Sequence, residues 1–158
     1  MAQEIFGEPR EELLMKALYD PIEWNDKLVT GVAEIDKQHR VLVDAINDAN
    51  VRLMADHDIA LVEQITKDLL SYAIYHFETE EDLMQQLGYQ EASAEDAALH
   101  QKQHREFSAQ VIAVRDGLRD GRSISREDLL SFLNGWLVNH IMSTDQRLGA
   151  FIRQKRAG

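Results

Sequence analysis

At 158 residues, with 44% hydrophobic and 28% charged side chains, the chain has enough apolar material for one domain with a sizeable core and too little for two comfortable ones. Twenty-eight acidic against 17 basic residues leave a net charge of -11, which opposes binding to nucleic-acid phosphates and anionic lipid surfaces. Cysteine is absent, so disulfides, thiolate metal sites and cysteine nucleophiles are excluded, and any metal must be held by His, Asp and Glu.

Residues 1–10 are acidic rather than a basic segment leading into an apolar run, and no later stretch approaches ~20 apolar residues, so a soluble, cytoplasmic protein is expected. Leu13, Leu14, Ala17 and Leu18 give the segment Glu11 to Tyr19 one apolar side, and Pro21 ends it. Residues 1–23 thus read as an N-terminal arm carrying a short amphipathic helix. Trp24 to Ile35 combines Asn25-Asp26 and Thr30-Gly31 with little periodicity, which suggests an extended, turn-containing lead-in.

Four amphipathic patterns follow. The first runs from about Asp36, a candidate N-cap, to Met54, with Ile35, His39, Leu42, Val43, Ile46, Ala49, Asn50 and Leu53 recurring at three and four. A second starts near Ile59, carries Leu69, Ala73, His76, Phe77, Glu80 and Met84, and stops at Gly88. A third spans about Ala94 to Leu118 through His100, His104, Phe107 and Val111, ending at Asp116-Gly117 or Asp120-Gly121. Ser125 is placed to cap the fourth, which carries Leu129, Leu133, Trp136, Leu137, His140, Ile141 and Leu148. With both prolines before residue 22 and no alternating strand pattern after them, the fold expected is all-α. It is an antiparallel up-down-up-down four-helix bundle over residues 24–150, followed by a basic C-terminal tail over 151–158.

Each helix contributes histidine: His39 from the first, His76 with Glu80 from the second, His100 with His104 from the third, and His140 with Asp145 from the fourth. Donors four apart return to nearly the same helix face. His140 and Asp145 are five apart, a displacement of roughly 140° on an ideal helix, so their sharing a site requires a loosened last turn near Ser143-Thr144. A single histidine on an apolar face is more often a hydrogen-bonded core residue than a ligand. Five imidazoles and two carboxylates at core-facing positions are another matter, since each unpaired buried group costs several kcal/mol and a pair of metal ions supplies the compensating charge. Imidazole suits iron, copper, nickel and zinc, whereas carboxylates bridging two octahedral ions favour iron or manganese. With an oxide bridge added, the seven residues fill all but one position of two octahedra, which leaves room for one small ligand, dioxygen being the natural candidate.

These residues carry a resemblance. Trp24, Leu28, Gly31-Val32 and Ile35-Asp36-Lys37-Gln38-His39, then His76-Phe77 with Glu80-Glu81 and Met84, His100 with His104 and Phe107, and Trp136-Leu137 with His140-Ile141 and Asp145, are together similar to the hemerythrins, most closely the bacterial ones. The resemblance spans about Trp24 to Leu148. It implies two iron ions with an oxo bridge, one held by His100, His104 and His140 and the other by His39 and His76. Glu80 and Asp145 would be the bridging carboxylates. Dioxygen would take the open position on the His39/His76 iron, in an apolar pocket matched here by Leu42, Phe77, Trp136, Leu137 and Ile141.

The function expected is reversible dioxygen binding without turnover, for carriage, storage or sensing, in a monomer that has dioxygen as ligand and no nucleic-acid or membrane partner; a signalling partner domain would fit a sensing role. The competing readings are a di-iron oxidase, peroxidase or nitric-oxide-consuming enzyme, and an iron-storage or interaction module. Glu78, Glu81 and Asp82 read as solvated-face residues, His57 as an exposed residue of a polar break, and Met84 as core.

Overall fold

The computed structural model of the chain describes residues 21–55, 58–122 and 124–158; the amphipathic segment expected over residues 11–19 and His57 lie outside them. After a 3-10 turn at Asp26–Leu28 come α1 (Ala33–Ala55), α2 (Ile59–Leu87), the single-turn α3 (Tyr89–Ala92), α4 (Ala94–Arg119) and α5 (Arg126–Asn139). A π-helical turn, His140–Thr144, then carries the chain without a break into α6 (Asp145–Ala157). No strand occurs among the described residues, and none of their helices is long and apolar enough to cross a membrane.

The long helices run up, down, up and down, as the cross-helix pairs show. Gln38 of α1 meets Thr79 of α2, Glu63 and Glu80 of α2 meet Arg119 and His100 of α4, and Gln103 and Phe107 of α4 meet His140 and Trp136. At the other side of the bundle, Arg156 of α6 closes back on Glu34 of α1 through two 2.9 Å hydrogen bonds.

The expected punctuation sits where the sequence puts it. Asp58 caps α2 by accepting from the Ala60 amide at 3.3 Å, and Ser125 caps α5 by accepting from the Asp128 amide at 3.0 Å. Gly88 ends α2 at φ 75°, a left-handed conformation that costs glycine little. Of the two stops open for the third pattern, the chain uses Asp120-Gly121. The four-residue α3 had no signal of its own in the periodicity.

Asp36 is a correction. The helix starts at Ala33, so Asp36 is not its N-cap but lies inside the first turn and reaches back out of it. Its carboxylate accepts from the Thr30 amide (2.8 Å), the Thr30 hydroxyl (2.7 Å) and the Gly31 amide (3.1 Å), placing negative charge at the positive end of the α1 dipole.

The core is divided. A large apolar cluster runs through Leu42, Ile46, Leu53, Ile65, Leu69, Phe77, Phe107, Val111, Leu130, Leu133 and Ile141. A smaller one, Val32, Ile35, Met84, Tyr89, Ala97, Leu148 and Ile152, closes the other end, with Met84 buried as expected. Five of the seven polar residues of the site fall between the two clusters in sequence: His39 between Ile35 and Leu42, Glu80 between Phe77 and Met84, His100 and His104 between Ala97 and Phe107, Asp145 between Ile141 and Leu148. His76 and His140 sit at the inner edge of the large cluster, next to Phe77 and Ile141. The bundle is therefore two apolar layers with a polar layer between them.

That layer depends on α6 lying close against the segment before α1. A Cβ built on Gly149 would fall 2.8 Å from both the Cβ and the backbone oxygen of Thr30, nearer than van der Waals contact allows. Gly149→Ala should therefore cost about 1–3 kcal/mol of stability. Gly135→Ala, at a helical position with no atom within 4 Å of the added carbon, should add about 0.4–1 kcal/mol. Denaturant unfolding of the two variants beside the parent checks both signs.

Candidate metal centre

All seven residues singled out as donors converge. Glu80 and Asp145 have no solvent exposure, and the five histidines are between 0% and 4% exposed. Their nitrogens and oxygens form two groups with ligand atoms within 4.8 Å of one another: His39, His76, Glu80 and Asp145 in one, Glu80, His100, His104, His140 and Asp145 in the other. Both carboxylates belong to both groups.

The division runs through the individual oxygens. Glu80 turns Oε1 to His39 Nε2 (3.2 Å) and His76 Nε2 (2.5 Å), and Oε2 to His100 Nε2 (2.5 Å) and His104 Nε2 (3.3 Å). Asp145 turns Oδ2 to His39 Nε2 (2.8 Å), and Oδ1 to His100 Nε2 (3.1 Å) and His140 Nε2 (3.0 Å). Despite these distances, neither Asp145 oxygen makes a directed hydrogen bond, nor does Nε2 of His76, His104 or His140. Buried polar atoms are normally paired, and lone pairs that approach without pairing are aimed at common points instead. A cluster of neutral nitrogens and shared carboxylates arranged in this way fits metal ions.

Local structure explains how each donor arrives. His76 and Glu80 stand four apart on α2 and His100 and His104 four apart on α4, both inside regular helix. The His140–Asp145 spacing is resolved by the π turn, in which the Asp145 amide bonds to the His140 carbonyl five residues back. One wide turn returns the aspartate to the face of the histidine. The loosening thus lies mid-helix and not in a last turn, since α6 continues for 13 residues beyond it, and Ser143 supports it by donating to the Asn139 carbonyl at 2.7 Å.

The five apolar pocket candidates divide. Leu42, Leu137 and Ile141 are buried in the large cluster, each within about a helical turn of a donor. Phe77 is buried too, its ring stacked on His104 at 3.9 Å between centroids and 5.9 Å from His76. Trp136 is half-buried and stacks on His140 (4.5 Å, 14°); its other ring contacts are Phe77 and Phe107, with neither His39 nor His76 among them. It borders the three-histidine half, not the two-histidine half to which the resemblance assigns the pocket.

Three neighbours escaped the sequence reading. Gln38 and Gln103 accept from ring nitrogens of His76 and His140, each at 2.7 Å, and Glu81 approaches His104 Nδ1 at 3.9 Å. Glu81 is thus more than solvated face, although it gives no atom to either group; Glu78 and Asp82 are exposed as expected. The available signal for the glutamines was the dipeptide Gln-His, which occurs twice, as Gln38-His39 and Gln103-His104.

Comparison with known proteins now decides the family. The family described as Hemerythrin HHE cation binding domain matches residues 30–152. The chain belongs to the hemerythrin family. Bacteriohemerythrin of Stenotrophomonas maltophilia is 31% identical over 143 residues, covering 85% of this chain and 89% of that protein. That of Pseudomonas aeruginosa strain LESB58 is 34% identical over 122 residues, 77% of this chain and 75% of the relative. A crystal structure of wild-type hemerythrin superposes with a TM-score of 0.73 at 26% identity, over 83% of this chain and 97% of that one.

In this hemerythrin-family chain the metal-free site balances its own charge. Burial disfavours ionisation of Glu80 and Asp145, yet the surrounding imidazoles outweigh it and hold both carboxyls well below the usual range. Burial likewise works against protonation of His39 and His100, but the same carboxylates prevail and raise them to about 9 and about 10. At His140 burial wins and the ring is lowered. Glu81 is held low by His104.

Two consequences can be measured. Because His39 and His100 titrate higher folded than unfolded, their stabilisation of the metal-free protein is complete below about pH 6.5 and disappears as pH rises through 9 to 10, which thermal melts across that range should show. At pH 7 both rings carry a proton that a metal must displace, so loading should release about two protons per chain, read with an indicator dye in weak buffer.

Proposed function

We propose that this protein binds dioxygen reversibly at a non-haem di-iron centre, without turnover. His39 and His76 hold one iron, His100, His104 and His140 the other, and Glu80 and Asp145 bridge the two. The observation that supports this reading best is the split of each carboxylate, one oxygen turned to each histidine group. Iron pairs supply the electrons that let dioxygen attach and leave. The polypeptide supplies everything else: five imidazoles as neutral donors, two shared carboxylates that fix the separation of the ions, and apolar surroundings that exclude water.

The two halves differ in donor number. The half with His39 and His76 has one imidazole fewer than its neighbour, which would leave that ion a position for a small ligand. Phe77 lies between the halves, stacked on His104 and 5.9 Å from His76, and it shares one apolar cluster with Leu42, Leu137 and Ile141, surroundings that suit a gas molecule better than an ionic substrate. Bridging carboxylates and imidazoles together favour iron over zinc or copper. Residues 24–150 form the oxygen-binding domain, in a cytoplasmic protein monomeric in solution.

Anaerobic ferrous loading should saturate near two irons per chain, and an oxygen titration should raise a visible absorption band that deoxygenation removes. Irreversible bleaching accompanied by oxidation of an added substrate would establish an enzyme instead. His39→Ala and His76→Ala should each abolish oxygen binding while helical content is kept; unchanged affinity in either removes the assignment.

A further inference from the structure

An imidazole that turns Nε2 into a metal site has a second nitrogen, Nδ1, whose partner decides which nitrogen carries the proton. Among the described residues Nδ1 of His39 and of His100 has no hydrogen-bond partner, and that of His104 has only the Glu81 carboxylate, which at 3.9 Å is beyond hydrogen-bond reach. His76 and His140 do, and in both cases it is a glutamine side-chain oxygen at 2.7 Å. Each half of the site therefore has one histidine fixed from behind.

The same device is used twice. Gln38 directly precedes His39 on α1 and reaches across to His76 on α2; Gln103 directly precedes His104 on α4 and reaches across to His140 at the end of α5. Consecutive residues project about 100° apart on a helix, so while one points into the site its neighbour points at the adjoining helix.

For His76 the proton can be assigned by following the chain of donors outward. The Tyr75 carbonyl can only accept, so the Thr79 hydroxyl, 3.2 Å away, donates to it. Thr79 Oγ1 then accepts from Gln38 Nε2 at 3.1 Å, which leaves Gln38 Oε1 facing His76. An amide oxygen cannot donate, so His76 Nδ1 carries the hydrogen and its Nε2 lone pair is free for a metal. At His140 the Gln103 oxygen also accepts from Thr144 of the π turn at 2.7 Å, which ties the position of that ring to the turn that presents Asp145.

We propose that Gln38 and Gln103 are positioning residues that fix His76 and His140 as Nδ1-protonated donors and set the redox balance of the centre. This rests on the di-iron reading above. A carboxylate behind a ligating imidazole would draw the ring proton, raise the basicity of Nε2 and add negative charge beside the metal, all favouring the more highly charged ion. A neutral amide orients the ring equally well without that bias. The two amides keep the centre poised toward its reduced form, which an oxygen-binding protein must retain.

The test uses the full chain with Gln38→Leu, Gln103→Leu, Gln38→Glu and Gln103→Glu. With zinc, which has no redox chemistry, chelator competition should show a 10–100-fold loss of affinity in each Leu variant and parental or tighter affinity in each Glu variant, where an acceptor is kept and negative charge is added. In the zinc-loaded parent, nitrogen NMR of labelled histidine should find His76 and His140 protonated at Nδ1. In the iron-loaded protein, each Glu variant should shift the ferric-to-ferrous balance at least tenfold toward ferric, a fall of about 59 mV for one electron.

Leu variants that bind zinc within twofold of the parent, Nε2-protonated rings, or Glu variants that titrate at the parental potential would each overturn the proposal. Should a Leu variant fail to fold, the Glu variants and the parental spectrum still decide it. Zinc affinity and ring tautomer are read without dioxygen, so a protein that shows them yet does not bind the gas reversibly refutes only the function proposed above.

Discussion

Two carboxylates with no access to solvent, Glu80 and Asp145, set the terms on which this bundle folds. Moving a carboxylate into a protein interior costs several kcal/mol even after relaxation, and it is tolerated only where partners surround the group. Five imidazoles from four helices do so here. Because the polar layer lies between two apolar ones, sliding any helix by one turn, about 5.4 Å, would set an imidazole against leucine and leave a carboxylate oxygen alone. Burial of apolar surface drives the helices together; the polar layer selects one register among those that would bury similar area.

The chain elsewhere is shaped to keep that register. Gly149 lets α6 approach Thr30 closely, and the paired hydrogen bonds between Arg156 and Glu34 hold the far end of α6 on the start of α1. Between these contacts and the π turn, Asp145 is delivered opposite His39, a residue more than a hundred positions earlier. The Glu34–Arg156 pair is largely exposed and contributes modestly by itself, so the tight packing at Gly149 carries more of the constraint.

The fold and most of the seven converging residues were readable because both depend on periodicity. Spacings of three and four assign a face, and Asp58, Gly88 and Ser125 mark boundaries through local hydrogen bonds that need no tertiary partner. What was not readable depends on contacts between helices. Asp36 looks like a cap by type and position, but Thr30 and Gly31 fold back over it and the helix begins earlier. Gln38 and Gln103 look like surface residues until the adjoining helix supplies the imidazole each one meets. Trp136 is apolar and one turn from His140, which suits a pocket wall, yet only the arrangement of α4 and α5 decides which half of the site it borders. The π turn shows the limit most clearly: five-residue spacing argues against a shared face on a regular helix, and the backbone changed its period rather than its residues.

The ratio of donors bears on the chemistry. Carboxylate-rich di-iron bundles use four acidic residues with two histidines, an anionic set that stabilises highly oxidised iron. Here the proportions are reversed, with five neutral nitrogens and only two carboxylates, both shared. In the metal-free protein that set is already close to neutral, because His39 and His100 hold protons against Glu80 and Asp145. Exchanging those protons for cations changes the charge of the layer without dismantling it, so the bundle need not rearrange to accept metal. The rings of His76 and His140 are backed by amides, and the one acid near a ring nitrogen from outside, Glu81, stands 3.9 Å from His104 Nδ1. Neutral donors, only two shared anions and the amides behind His76 and His140 act in the same direction, which is why binding rather than turnover is the function proposed for this chain.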